Sequence, residues 1–128
     1  MEVKQVIVMR KDLNMRRGKE IAQGSHASIS FLSHKVRKSL SGRKAEIKLT
    51  DAEMAWFDGS FTKVCVRVDS EQELLEIYQK AIGAGLVAHL ITDSGRTEFN
   101  GVPTRTCCAI GPDEAEKIDK VTGHLKLY

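Results

Sequence analysis

The junction between an apolar strand and a long helix, at residues 9–26, constrains this chain more than any other stretch. Apolar residues 6–8 end a strand, a basic loop follows, and a helical pattern begins after Gly18. The free N–H groups of a first helical turn favour an anion. Five cationic side chains surround this turn: Arg10, Lys11, Arg16, Arg17 and Lys19. The junction therefore predicts a phosphate or carboxylate partner.

The helix after Gly18 should run to about Leu40 and has two distinct faces at about 100° per residue. One face is a polar stripe of Lys19, Gln23, His26 and Ser30. The other is the face we expect to be buried, and it holds Ile21, Ser25, Ile29, Leu32 and Val36. The polar stripe would then border the buried face and line a cleft. The same spacing also fits an ordinary solvated face, and spacing alone does not decide between the two.

Size and composition predict one domain over residues 1–128. A chain of 128 residues with 41% hydrophobic content suits a single core. No apolar run approaches the roughly 18 residues of a membrane span, and the N-terminus lacks the apolar region of a secretory signal. We therefore expect no membrane association and a cytoplasmic location.

The charges are segregated along the chain. Residues 1–49 hold 12 Lys and Arg against 4 Asp and Glu, a balance of +8. Residues 50–128 hold 8 against 13, a balance of −5. Such a basic region attracts polyanions and makes their binding depend on salt. Solubility alone does not require this separation, so the pattern favours a nucleic-acid or phosphate partner.

Cysteine and histidine spacing gives no sign of a metal site or cofactor. Cys65, Cys107 and Cys108 form neither a CxxC pair nor an even disulfide set, and we expect buried free thiols. The four histidines show no HxxxH or HExxH spacing. We therefore expect no structural zinc.

The remaining chain alternates strands with helices. Strands are predicted at residues 3–9, 61–68, 86–91 and 105–110. Helices are predicted after Gly18, after capping boxes at Thr50 and Ser70, and from Pro112 to about Lys120. Trp56 and Phe57 should pack on the core, and the apolar tail 121–128 should dock.

This alternation predicts a layered α/β sheet whose first two strands are parallel through a right-handed crossover. Ligands of such sheets gather beyond the carboxyl ends of the strands. Two polar segments begin at such ends: the basic junction after the first strand and the 92–104 loop after the third. If those two strands are parallel and adjacent, the segments face one another across a single cleft.

Five blocks of residues match a known family in order. They are Lys4–Val8 with Asp12–Met15, Gly18–Lys19 with Ala22–Ala27, Asp93–Thr97, Ala109–Pro112 and Ile118–Leu127. Together they resemble the archaeal and eukaryotic-type (type II) peptidyl-tRNA hydrolases over nearly the whole chain. The resemblance implies a single-domain α/β layered fold, with a four-stranded mixed sheet and helices on both faces. It also implies a metal-independent esterase, often a homodimer, that needs no cofactor and frees tRNA from stalled peptides.

The resemblance also implies the site residues. Lys19, Gln23 and His26 match the site helix of the family, and Asp93 and Thr97 match its site loop. Ester hydrolysis needs an oriented water and a stabilised oxyanion.

Our hypothesis assigns each of these residues a role. Asp93 orients or deprotonates the water, directly or through Thr97, and Lys19 stabilises the oxyanion or holds the terminal phosphate. Gln23 and His26 position the substrate; alternatively, His26 is the base. Further substrate contacts are expected from Arg10, Lys11, Arg16, Arg17, Arg96 and Thr104.

The chain departs from the family pattern near this loop. Glu98 stands where Gln is common, Ser94 stands where Ala is common, and the 99–104 loop is one residue longer. An ionised carboxylate at position 98 would repel phosphate.

Two alternatives therefore stay open: a catalytically weak tRNA or RNA-end binding module, and a related hydrolase of another acyl ester. A dinucleotide enzyme is disfavoured because no GxGxxG follows the first strand.

Overall fold

The structure is a computed structural model that describes all of residues 1–128. Its strands are β1 (Val3–Arg10), β2 (Lys63–Val68), β3 (Ala88–Asp93) and β4 (Thr104–Glu114). Its helices are α1 (Arg17–Ser39), α2 (Asp51–Asp58), α3 (Glu71–Gly83) and α4 (Ala115–Thr122), with one 3₁₀ turn at Phe99–Gly101. These elements confirm the predicted α/β fold class. No helix combines the length and apolar character needed to cross a bilayer.

The four strands form one mixed sheet in the order β2-β1-β4-β3. β1 and β2 are parallel, as predicted, and β4 is antiparallel to both β1 and β3. The first and third strands are not adjacent in the sheet, because β4 lies between them. β1 and β3 nevertheless run in the same direction, since both oppose β4. Their carboxyl ends, Arg10 and Asp93, therefore lie at the same end of the sheet.

Alternating side chains give the sheet two packed faces. Val6 and Val8 of β1 pack with α3 and α4 in the larger buried cluster, which also contains Leu74 and Ile118. Met9, the next residue along β1, belongs to the second cluster, on the face covered by α1. Helices therefore cover both faces of the sheet.

The predicted buried face of α1 is wrong. Ile21 and Ile29 are 63% and 55% exposed, Ser25 is exposed, and Leu32 and Val36 are only half-buried. The residues of α1 that are buried are Gln23, Ala27, Ser30 and Phe31. Polar Gln23 and Ser30 tolerate burial because both side chains form hydrogen bonds inside the protein. The helix therefore turns much of its polar stripe toward the sheet.

The apolar residues that α1 leaves exposed line a groove of about 600 Å³ above β1 and β2. Trp56 is one of the residues that line this groove and is almost fully buried, as predicted. Phe57 packs against the rings of Trp56 and Phe31 but remains 40% exposed, so its predicted place in the core is only partly correct. The outcome is an open apolar surface on the α1 and α2 side of the molecule.

Two further expectations need correction. Pro112 does not open a helix, because β4 continues to Glu114 and α4 begins at Ala115. The register of β1 against β4 shifts between Lys4 and Val6, and this bulge accommodates a proline that has no N–H for the ladder. Among the cysteines, Cys107 and Cys108 are buried as expected, whereas Cys65 is exposed.

The apolar tail docks, as predicted. Leu127 forms a bridge with Val66, and Arg67 N–H donates to the Lys126 carbonyl. Tyr128 N–H donates in turn to the Cys65 carbonyl. The tail therefore covers part of the outer edge of β2.

The orientation of α1 can be tested with two substitutions on the same helix. Phe31→Ala should lower the free energy of unfolding by about 3–5 kcal/mol, because it removes a buried ring. Ile29→Ala should change it by less than about 1 kcal/mol, because the side chain is mostly exposed. Urea denaturation followed by circular dichroism measures both values. A larger loss for Ile29→Ala than for Phe31→Ala would contradict the observed orientation.

Candidate active site

A hydrogen-bonded ion pair between Lys19 and Asp93 forms the centre of the site. Lys19 lies in the first turn of α1, and Asp93 is the last residue of β3. Lys19 Nζ donates to Asp93 Oδ1 at 2.8 Å and to Thr97 Oγ1 at 2.9 Å. The Lys19 and Asp93 side chains are only 14% and 11% exposed. The basic junction and the 92–104 loop therefore meet even though β4 separates their strands.

Asp93 accepts two further hydrogen bonds. Gln23 Nε2 donates to Oδ1 at 3.2 Å, and Gly95 N–H donates to Oδ2 at 2.9 Å. Gly95 has a φ of +82°, and a Cβ there would lie 2.4 Å from the Val102 carbonyl oxygen. Only glycine therefore suits this tight turn, which directs the backbone N–H at the carboxylate.

These contacts keep Asp93 ionised. The hydrogen bond from Lys19 is the main cause that lowers the pKa of Asp93, and burial opposes it. The Gly95 N–H and the charge of Lys19 lower the pKa further, with a smaller effect from Gln23. At neutral pH the group is thus a carboxylate that can accept a hydrogen bond from water.

Thr106 also belongs to this hydrogen-bond network, although the sequence did not predict it as a site residue. Its side chain is fully buried in β4, and its hydroxyl donates to Gln23 Oε1 at 2.5 Å. This bond fixes the Gln23 amide with its nitrogen toward Asp93. A threonine inside a strand gives no signal by itself. Only the pairing of β4 with β3 shows that Thr106 lies near the acid.

The His26 side chain is not part of this network. The imidazole is exposed and forms no hydrogen bond within the protein, and the His26 backbone carbonyl accepts from Ser30 Oγ. The structure therefore brings together Lys19, Gln23, Asp93 and Thr97 but leaves the His26 imidazole outside their hydrogen bonds.

Arg10 differs from the other predicted cationic contacts because its side chain is mostly buried and its charge is closely paired. Its guanidinium binds both carboxylate oxygens of Asp12, at 3.1 and 2.7 Å, and also donates to the Arg105 carbonyl. The hydrogen bond from Arg10 lowers the pKa of Asp12. In this conformation Arg10 stabilises the loop after β1, and binding a phosphate would mean competing with Asp12.

The other cationic side chains of the junction are exposed. Exposed side chains are those of Lys11, Arg16, Arg17 and Arg96, and Lys11 Nζ lies 5.7 Å from the centre of the Tyr128 ring. Arg16 Nε lies 3.9 Å from Glu98 Oε1, so the carboxylate that departs from the family pattern is partly balanced. Thr104 Oγ1 donates to the Val102 carbonyl at 2.8 Å and so stabilises the loop that carries Arg96.

Two atoms of the site retain unused hydrogen-bonding positions that could act on a substrate. An ammonium group has three donors, and Lys19 uses two of them on Asp93 and Thr97. A carboxylate has about four acceptor positions, and Asp93 uses three. One donor therefore remains on Lys19 Nζ, and one acceptor position remains on Asp93 Oδ2. No group of three or more His, Cys, Asp or Glu side chains is placed to hold a metal ion.

Comparison with known proteins gives a consistent result. The family model described as "Peptidyl-tRNA hydrolase PTH2" matches residues 3–128. A peptidyl-tRNA hydrolase of Methanocaldococcus jannaschii is 43% identical over 98% of this chain and 99% of its own length. One from Methanothermobacter thermautotrophicus is 45% identical, with the same coverage.

A eukaryotic relative extends the comparison. The mitochondrial peptidyl-tRNA hydrolase 2 of Bos taurus is 40% identical over 99% of this chain and 65% of its own length. Archaeal and eukaryotic relatives thus match the chain from end to end, and the family model spans the same region. The chain belongs to the PTH2 family of peptidyl-tRNA hydrolases.

Proposed function

We propose that the chain hydrolyses the ester bond of peptidyl-tRNA at the site formed by Lys19 and Asp93, and releases free tRNA and peptide. Family membership establishes the reaction and the tRNA substrate. The assignment of residues is our proposal. It rests on one observation, the hydrogen-bonded contact of Lys19 with Asp93 and Thr97 at the carboxyl end of β3.

In this proposal Asp93 orients the attacking water through its remaining acceptor position. A carboxylate with a lowered pKa is a weak base, so its main contribution is to hold the water in line with the ester carbonyl. Thr97 accepts from Lys19 and retains its own hydroxyl hydrogen, which can donate to the water or to the substrate.

Lys19 stabilises the oxyanion that forms as water adds to the carbonyl. Its third N–H is free, and a mostly buried ammonium interacts strongly with a developing negative charge. Gln23, held by Thr106, keeps Asp93 in position. His26 is then a substrate-contacting residue rather than the base.

The exposed cations bind the tRNA end in this account. Positive charge for phosphates comes from Lys11, Arg16 and Arg17, in the segment that leads from β1 into α1, and from Arg96 in the loop after β3. Arg10 and Thr104, already bonded within the loops, hold the two loops in shape. A binding module without catalysis is disfavoured, because the relatives that match over the full chain are named as hydrolases.

We further propose that residues 1–128 act as one domain and assemble as a homodimer. The exposed apolar groove above β1 and β2 supports this assembly, because contiguous apolar surface of this kind marks interaction sites. A cytoplasmic location suits a substrate that is produced by translation there.

Removing either partner of the ion pair should abolish most of the activity. Lys19→Met and Asp93→Asn should each lower kcat/KM by about 100-fold or more, because each removes one of the two groups that act on the ester. The loss should appear in cleavage of N-acetyl-aminoacyl-tRNA, while binding of the tRNA persists. Lys80→Met, which removes an exposed lysine on α3, is the matched control and should retain full activity.

The double variant Lys19→Met/Asp93→Asn separates catalysis from stability. It leaves no unpaired charge in the site, so it should unfold at a higher temperature than either single variant and still be inactive. Single variants that are folded and retain activity within threefold of the wild type would contradict the assignment.

Salt dependence tests the tRNA contacts. Arg16→Gln/Arg17→Gln should weaken tRNA binding and reduce the slope of log Kobs against log salt by about 1.5, since each phosphate contact contributes about 0.7–0.9. Lys80→Gln/Lys120→Gln removes the same charge from exposed positions on α3 and α4 and should leave the slope unchanged. Equal slopes for the two double variants would exclude the basic junction as the docking surface.

A further inference from the structure

The outer edge of β3 is open. β3 is the last strand of the sheet, and residues 88–93 make backbone hydrogen bonds only with β4. Gly111 N–H donates to the Val87 carbonyl, so residue 87 faces β4. Along an antiparallel strand, the backbone N–H and C=O groups of successive residues point alternately toward and away from the neighbouring strand. The N–H and C=O groups of Ala88 and Leu90 therefore point away from β4. The opposite edge of the sheet, on β2, is partly covered by the tail.

The direction of β3 connects this edge to the reaction. The strand runs toward Asp93, so a second strand parallel to it would end at Asp93 with its carboxyl terminus. The peptide of peptidyl-tRNA is esterified to the tRNA through its carboxyl end. A peptide lying parallel to β3 would therefore deliver its reactive carbonyl to the Lys19–Asp93 pair.

The polar stripe of α1 runs beside the same strand. α1 packs against β3, and the rings of His34 and His89 lie 5.6 Å apart. His26 lies on α1 between His34 and Lys19, with its imidazole exposed. These side chains would border the path of a peptide along the edge, which gives His26 a substrate contact at a distance from the ester.

We propose that the open edge of β3 binds the peptide part of the substrate as an added parallel strand, with the esterified residue next to Asp93. This inference rests on the proposed function. Main-chain hydrogen bonds are the same for every side chain, so such an edge recognises peptides of any sequence. An enzyme that clears stalled peptides of many sequences needs this kind of recognition.

Peptide length provides the first test. The substrates are tRNAs carrying N-acetylated oligoalanine of one to eight residues. The value of kcat/KM should rise by about two- to tenfold for each hydrogen bond that a longer peptide gains. It should level off at about six residues, because a longer peptide extends beyond Ala88. The same kcat/KM for one and six residues would overturn the proposal. Cleavage of N-acetyl-alanyl-tRNA in that case would still support the proposed function.

Backbone methylation provides an internal control. In a hexapeptide substrate, N-methylation of residues whose N–H faces β3 should lower kcat/KM by about two- to tenfold. Methylation of the residues between them should have little effect, since their N–H groups point away. A loss without this period of two would contradict strand addition. If no acylated tRNA is cleaved at all, the proposed function fails, and this inference fails with it.

Hydrogen exchange locates the peptide directly. A non-cleavable hexapeptidyl-tRNA with a 3′-amide link should slow exchange of the Leu90 amide at least tenfold. A deacylated tRNA should leave it unchanged. If the Leu90 amide is already protected in the free protein, or is not protected by the analogue, the edge is occupied by a second copy or is unused, and the proposal is wrong.

Discussion

The contact between Lys19 and Asp93 is the interaction on which the site depends. It joins the first turn of α1 to the end of β3 across the intervening β4, at an Nζ–Oδ1 distance of 2.8 Å. Each charge alone would be costly in so buried a place, and together they keep Asp93 ionised and Lys19 directed at the same small volume. Gln23, which Thr106 holds in place, and the N–H of the Gly95 turn also donate hydrogen bonds to Asp93.

The sequence predicts the order of elements, because capping residues and strand ends are encoded locally. It predicts the meeting of the two polar loops only on the condition that the first and third strands are adjacent, and β4 lies between them. Thr50 and Glu53 form the expected capping box, and Lys19 meets Asp93. The buried face of α1 could not be predicted, because helical periodicity identifies a buried face only by its apolar residues. In this fold the sheet provides a polar partner for the buried Gln23, which accepts a hydrogen bond from Thr106. Thr106 itself became visible only through strand pairing, which is a property of the whole fold.

β3 contributes to the proposed reaction in two ways. Its last residue is Asp93, to which we assign the orientation of the attacking water, and its outer edge offers unpaired backbone groups that lead to Asp93. In the proposed function, the tRNA is bound by the exposed cations of the basic junction after β1. The ester bond, where peptide and tRNA meet, would thus lie where these two surfaces meet. Because β4 lies between β1 and β3, β3 is an edge strand, and the site lies between the end of this edge strand and the start of α1.

The pH dependence of kcat/KM tests most directly whether the ionised Asp93 carries the reaction. Its pKa is lowered in the folded protein, so the carboxylate persists as pH falls until below the ordinary value of about 3.9. We predict that kcat/KM stays level from pH 8 to about 4.5, with circular dichroism confirming that the protein remains folded. A half-loss near pH 6.5, the ordinary histidine value, that disappears in His26→Gln would contradict the account and identify His26 as the base.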